Sequence, residues 1–244
     1  MTDAPFDSPH SFPGWIMPWP SFKVNWRRSG LLIIDLQNYS SNPACGITQM
    51  ISEQYPEVAS YYVPRLRKVI SNAQRLLNAF RRKKREVVFT RHGALLGDGR
   101  DMIPRRRLRD SEAQEQTGRP ALWAKGSREH KIISELTPLD HELAIDKNAS
   151  SPFNGTGIDQ LLRNMDLETL VISGMATDMC VETTARDAAD RGYNVIVVED
   201  ASATFFPEHH SAALSALARV YAQVWSSDRV LTELDGGDAG EASE

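Results

Sequence analysis

Short, mainly apolar runs alternate along this chain with longer segments whose apolar residues recur every three or four positions. Leu31-Leu32-Ile33-Ile34, Val87-Val88-Phe89-Thr90, Leu143-Ala144-Ile145-Asp146, Leu170-Val171-Ile172-Ser173, Asn194 to Val198 and Val224-Trp225 make up the first kind. Leu66, Val69, Ile70, Ala73, Leu76, Leu77 and Phe80 form one face of a long helix that closes on Arg81-Arg82-Lys83-Lys84-Arg85, cations suited to a C-terminal dipole. Further helices are predicted over Ile158 to Met165, Val181 to Arg191 and Glu208 to Ala222. Runs that are apolar at successive positions read as strands buried on both faces, and helices between them supply parallel crossovers. The predicted fold class is therefore α/β: a mostly parallel central sheet with helices on both faces, a Rossmann-like three-layer arrangement. An irregular arm over residues 1–29 precedes a domain spanning 30–234, and a flexible acidic tail, 235–244, follows it. The arm holds five of the thirteen prolines together with Trp15, Trp19 and Trp26, aromatics that seek cover on the domain or a neighbouring subunit.

In such folds ligands bind beyond the carboxyl ends of the strands. Three reactive side chains fall there: Asp35 after the first run, Lys147 after the third, and Cys180 in the turn that follows the fourth. A thiol attacks a carbonyl only as thiolate, so a nucleophilic cysteine needs a base or an electropositive setting. A carboxylate on a neighbouring strand end takes the proton and returns it to a leaving amine, and a lysine beside it orients the pair. Proximity to a helix N-terminus predicts a lowered pKa for Cys180. Each residue also has a plain reading: Cys180 as a buried structural thiol, Asp35 as a helix cap, Lys147 as a surface lysine. Their joint placement favours catalysis.

Composition narrows the partners. With 28 basic against 32 acidic residues the net charge is −4, which gives no pull toward nucleic acid or an anionic membrane. Two cysteines, Cys45 and Cys180, cannot build a disulfide framework and suit a reducing, cytoplasmic setting. No signal peptide or membrane-length apolar run is present in the sequence.

The stretches "LLIIDLQN" (31–38), "IDKNASSPFNGTGIDQLL" (145–162), "LVISGMATDMCVETTARDAADRGYNVIVVEDA" (170–201) and the helix beginning "HHSAAL" resemble the isochorismatase-like cysteine hydrolase superfamily, from about Leu31 to Leu234. The superfamily includes nicotinamidases and N-carbamoylsarcosine, ureidoacrylate and biuret-type amidohydrolases. The resemblance implies a triad of Asp35, Lys147 and Cys180. It also implies a cis peptide between Met175 and Ala176, and an oxyanion hole formed by the N–H groups of Ala176 and Cys180. Members lacking the cysteine cleave a vinyl ether; the retained Cys180 points to C–N cleavage. Nicotinamidases place an Asp and two His ligands after the second strand, whereas "TRHGALLGDGRDM" (90–102) has His92 alone, so neither metal nor cofactor is expected. "MPWPSF" (17–22) and "WAKGSREHKIISELTP" (123–138) are similar to biuret-type and ureidoacrylate members. The expected activity is metal-independent hydrolysis of a small ureide, carbamoyl compound or amide by a homodimer or homotetramer. An isochorismatase-type ether hydrolase, a nicotinamidase-like amidase or an inactive binding homologue are the alternatives. From their places beside the strand ends, Gln37, Asn38, Arg91 and His92 are candidate polar contacts for substrate, and Phe153 and Phe205 candidate apolar walls. The segment from Arg91 to Arg119 is expected to be a polar loop roofing the site.

Overall fold

A computed structural model of the chain describes residues 20–118 and 123–237. Six parallel strands form one sheet in the order β3-β2-β1-β4-β5-β6, with β1 at Ser29–Ile34, β2 at Glu86–His92, β3 at Leu143–Lys147, β4 at Thr169–Met175, β5 at Asn194–Ala203 and β6 at Gln223–Trp225. The helices are α1 (Asn38–Ser41), α2 (Gly46–Gln54), α3 (Pro56–Arg82), α4 (Pro104–Thr117), α5 (Ile158–Asn164), α6 (Glu182–Asp190), α7 (Pro207–Val220) and α8 (Ser227–Gly237).

Alternation along each strand divides the interior into two cores. Leu31, Ile33, Phe89, Val171 and Ile196 face α3 and α8, while Leu32, Ile34, Val88, Ile172 and Val197 face α5, α6 and α7. Successive strand side chains point to opposite faces, so runs without polar residues need cover on both, and the helices supply it. The three-layer α/β architecture follows.

Several boundaries differ from the sequence reading. β5 runs on through Glu199 and Asp200 to Ala203, because Asp200 is satisfied by Asn72 and by the backbone and hydroxyl of Ser227. α3 starts at Pro56 and carries Pro64 inside it. The expected roofing loop contains a 14-residue helix, α4, with Pro104 in its first turn and Gly118 left-handed at its C-cap. Trp26 finds cover on the domain itself: it is buried edge-on against Phe80, with ring centroids 6.3 Å apart, and beside Trp225. Trp15, Trp19 and the rest of the arm call before residue 20 lie outside the described residues. Helix α8 continues to Gly237, past the expected domain end, and the remaining tail call also lies outside them. Among the described residues no helix is long and apolar enough to cross a membrane.

Candidate active site

The register of the sheet brings the strand ends level. Ile34 pairs with Thr90 on β2 and with Gly174 on β4, and His92 pairs with Lys147 on β3. Asp35 then leaves the sheet with φ 51°, a left-handed turn that a non-glycine residue adopts at a cost of about 1–2 kcal/mol. Opposite it, Gly174 has φ 127°, and a Cβ there would lie 2.0 Å from the Ile34 carbonyl oxygen. Only glycine lets β4 come this close to the residue preceding Asp35.

Asp35 and Lys147 are almost wholly buried. Lys147 Nζ donates to Asp35 Oδ2 at 2.7 Å, to the carbonyls of Ser150 (2.8 Å) and Ala149 (3.1 Å), and to Cys180 Sγ at 3.4 Å. The second carboxylate oxygen, Asp35 Oδ1, accepts from Thr90 Oγ1 at 2.6 Å. Burial alone would strip the Lys147 proton, but Asp35 and Cys180 outweigh it and hold the ammonium above its ordinary range.

Cys180 sits in a π-helical turn, Thr177–Val181, between β4 and α6, marked by the bond from Val181 N–H to the Ala176 carbonyl at 3.1 Å. The Met175–Ala176 peptide ahead of the turn is cis. Thr177 Oγ1 lies 2.8 Å from His210 Nδ1 on α7, and His210 Nε2 lies 2.8 Å from Arg65 Nη2 on α3. The turn is thus tied to helices on both faces of the sheet. The expected lowering of the Cys180 pKa is reversed. Burial first, with Asp35 acting against Lys147, pushes the thiol up to about 12. The surroundings of Cys180 thus favour the thiol over the thiolate.

Cys180 and Ala176 face a cavity of about 910 Å³ that Asp35 and Lys147 underlie. His92 lines it, and burial followed by Lys147 lowers its pKa to about 3, so it presents a neutral imidazole. Phe205 lines it too, packed on Tyr62 with centroids 5.0 Å apart. The other expected contacts are placed elsewhere. Gln37 is fully buried and spends its amide on backbone, donating to His92 and His130 carbonyls and accepting from His92 N–H. Asn38 donates to the Arg128 carbonyl. Arg91 pairs with Asp146 at 2.6 Å, and Phe153 is core against Tyr193. A strand-end position does not say which way a side chain turns, and none of these four lines the cavity.

The sequence reading missed Thr90, whose only sign is a hydroxyl ending an apolar run. It also missed the outer wall, where Tyr39 stacks on Trp123 at 4.1 Å and α4 contributes Arg105, Arg106 and Arg109. Cys45 borders the same cavity and lies 3.8 Å from Glu129 Oε1.

The Isochorismatase domain family model matches residues 29–229. The uncharacterized isochorismatase family protein YwoC of Bacillus subtilis (strain 168) is 29% identical over 195 residues, which cover 80% of this chain and 87% of YwoC. A solved cysteine hydrolase from Pseudomonas syringae pv. phaseolicola 1448A aligns with TM-score 0.74 and 25% identity over 91% of this chain and 99% of that one. N-carbamoylsarcosine amidase from Thermoplasma acidophilum aligns with TM-score 0.59 and 28% identity over 82% and 97%.

Proposed function

The chain belongs to the isochorismatase family, and from that premise we propose that it is a metal-independent cysteine amidohydrolase that cleaves a C–N bond of a ureide or carbamoyl compound. The observation that carries the reading is Lys147 Nζ standing between Asp35 Oδ2 at 2.7 Å and Cys180 Sγ at 3.4 Å beneath a cavity. In this reading Asp35 takes the thiol proton as Sγ attacks the substrate carbonyl carbon. The N–H groups of Ala176 and Cys180 hold the oxyanion. Collapse breaks the C–N bond, and the leaving ammonia or amine takes the proton back from Asp35. Water, deprotonated by Asp35, then attacks the acyl–sulfur intermediate, a thiocarbamate for a ureide, and as the C–S bond breaks Asp35 returns that proton to the departing Cys180 sulfur. Lys147 stays charged throughout and holds the Asp35 carboxyl group in place between transfers. The similarity to a cysteine hydrolase and to an N-carbamoylsarcosine amidase supports this class of reaction.

An ammonia-release screen over biuret, triuret, ureidoacrylate, N-carbamoyl amino acids, maleamate and nicotinamide tests the class. A ureide or carbamoyl compound is expected to exceed nicotinamide in kcat/KM by at least about a hundredfold, because polar sites reject analogues lacking their partners. Cys180→Ala should abolish turnover, and mass spectrometry of the wild type should find the acyl adduct on Cys180. Turnover surviving in Cys180→Ala overturns the mechanism. Chelator treatment is expected to leave the rate unchanged, since both Asp35 oxygens are already engaged by Lys147 and Thr90. A loss restored by added Zn²⁺ or Mn²⁺ would contradict that.

A further inference from the structure

Resting on the amidohydrolase reading, we propose that the substrate carries a carboxylate, and that Arg105 and Arg128 at the mouth of the cavity recognise it. Four arginines line the cavity (105, 106, 109 and 128) against two carboxylates, Asp110 and Glu129. The catalytic group beneath adds no net charge, because Asp35 and Lys147 neutralise one another and the thiol is protonated. Two positive charges are left over the cavity of a protein whose net charge is −4. Clefts lined by one sign of charge concentrate ligands of the other.

Two of the four arginines are already engaged by a carboxylate, and two are not. Asp110 is buried and takes Arg106 Nε on both oxygens, at 3.0 and 2.9 Å, and Arg109 Nη2 at 3.2 Å. Arg105 and Arg128 have no carboxylate partner among the described residues, and both are exposed at the rim. Arg105 also sits in the first turn of α4, which contains no acidic residue. Cations are disfavoured at that end of a helix, so the arrangement costs stability unless an anion is present.

Size and lining complete the ligand. About 910 Å³ is near the upper end of ordinary small-molecule pockets, roughly 300–1,000 Å³, and far exceeds what a bare ureide fills. Ile47, Met50, Ile103 and Phe205 give the cavity apolar walls. An N-carbamoyl amino acid with an apolar side chain fits all three features: carbamoyl carbon at Cys180, carboxylate at the arginines, side chain against the apolar wall.

The test compares N-carbamoyl-phenylalanine with its neutral carboxamide, N-carbamoyl-phenylalaninamide. The wild type should favour the acid by about thirtyfold in kcat/KM, and added salt should shrink that ratio. In Arg105→Gln/Arg128→Gln the ratio should fall about tenfold, chiefly through KM for the acid. Binding of both compounds to Cys180→Ala by calorimetry supplies a readout that needs no turnover. Tighter binding of the acid, lost in Arg105→Gln/Arg128→Gln on the Cys180→Ala background, supports the anion site even if the wild type hydrolyses neither compound and the amidohydrolase reading falls. Equal handling of acid and carboxamide in both assays overturns the carboxylate proposal, and leaves the amidohydrolase reading standing if either is hydrolysed.

Discussion

Asp35 has one carboxylate oxygen on Thr90 and the other on Lys147, and that division assigns each neighbour a separate, measurable task. Thr90 touches neither thiol nor cavity, so its part is to position the base. Thr90→Val should lower kcat about tenfold with KM little changed, at a stability cost of about 1 kcal/mol for one lost hydrogen bond. Thr90→Ser should restore most of the rate, which a purely steric effect would not allow. Removing the carboxylate itself is a different experiment. Asp35→Ala strands a buried ammonium, and breaking a buried pair in this way costs about 3–5 kcal/mol. Burial would then act on Lys147 without its main opponent, so its folded pKa is expected to fall below the unfolded value. The unfolded state binds the extra proton, and stability therefore rises with pH. The Asp35→Ala deficit should shrink between about pH 6 and about pH 9 in urea titrations, and a deficit constant over that range would refute the stranded charge.

Among the elements, β3 delivers Lys147, and its entrance is held by Glu142. That side chain takes the Arg81 guanidinium fork at 2.8 and 2.7 Å and the Leu139 N–H at 2.8 Å, joining the end of α3 to the start of the strand. Burial would raise the Glu142 carboxyl, but the Arg81 fork and the Leu139 N–H outweigh it and hold it below the usual value. A depressed carboxyl stabilises above the unfolded pKa and loses that contribution as pH falls through the folded one. Glu142→Gln should cost about 1–2 kcal/mol at neutral pH, and the difference from wild type should close in acid, as read from pH-dependent denaturation. The elements that could be read from sequence were those with an apolar period: the strands, the body of α3, and α5 to α7. Helix α4 escaped because its sequence, Pro-Arg-Arg-Arg-Leu-Arg-Asp, has no apolar stripe; Asp110, not an aliphatic side chain, is its fully buried anchor. The second half of β5 escaped because Glu199 and Asp200 look like a turn until Ser227 and Asn72 are known to meet Asp200. The grouping of Asp35, Lys147 and Cys180 was readable because strand ends are fixed by topology. The cavity wall was not, since it depends on which loops fold over those ends.

For the molecule as a whole, the tryptophans of the N-terminal stretch divide into two groups with different consequences. Trp26 lies on the α3–α8 face, between Phe80 and Trp225, with Gly237 so close that a Cβ there would lie 2.2 Å from its ring. It closes one of the two cores, so Trp26→Ala should destabilise the domain by about 3–5 kcal/mol without altering assembly. Trp15 and Trp19 precede the described residues, and the sequence leads us to propose a homodimer or homotetramer whose subunits these aromatics help to join. The described residues 20–118 and 123–237 already contain both cores and the linked Asp35, Lys147 and Cys180. A chain lacking residues 1–19 should therefore keep its unfolding free energy at low concentration, while its mass by light scattering falls toward that of a single subunit. Because subunit association stabilises by mass action, the full-length protein should also show a melting temperature that rises with concentration and the shortened chain should not. Equal masses and equal concentration dependence for the two chains would mean that the first nineteen residues join nothing, and would move the search for a subunit contact to the folded domain.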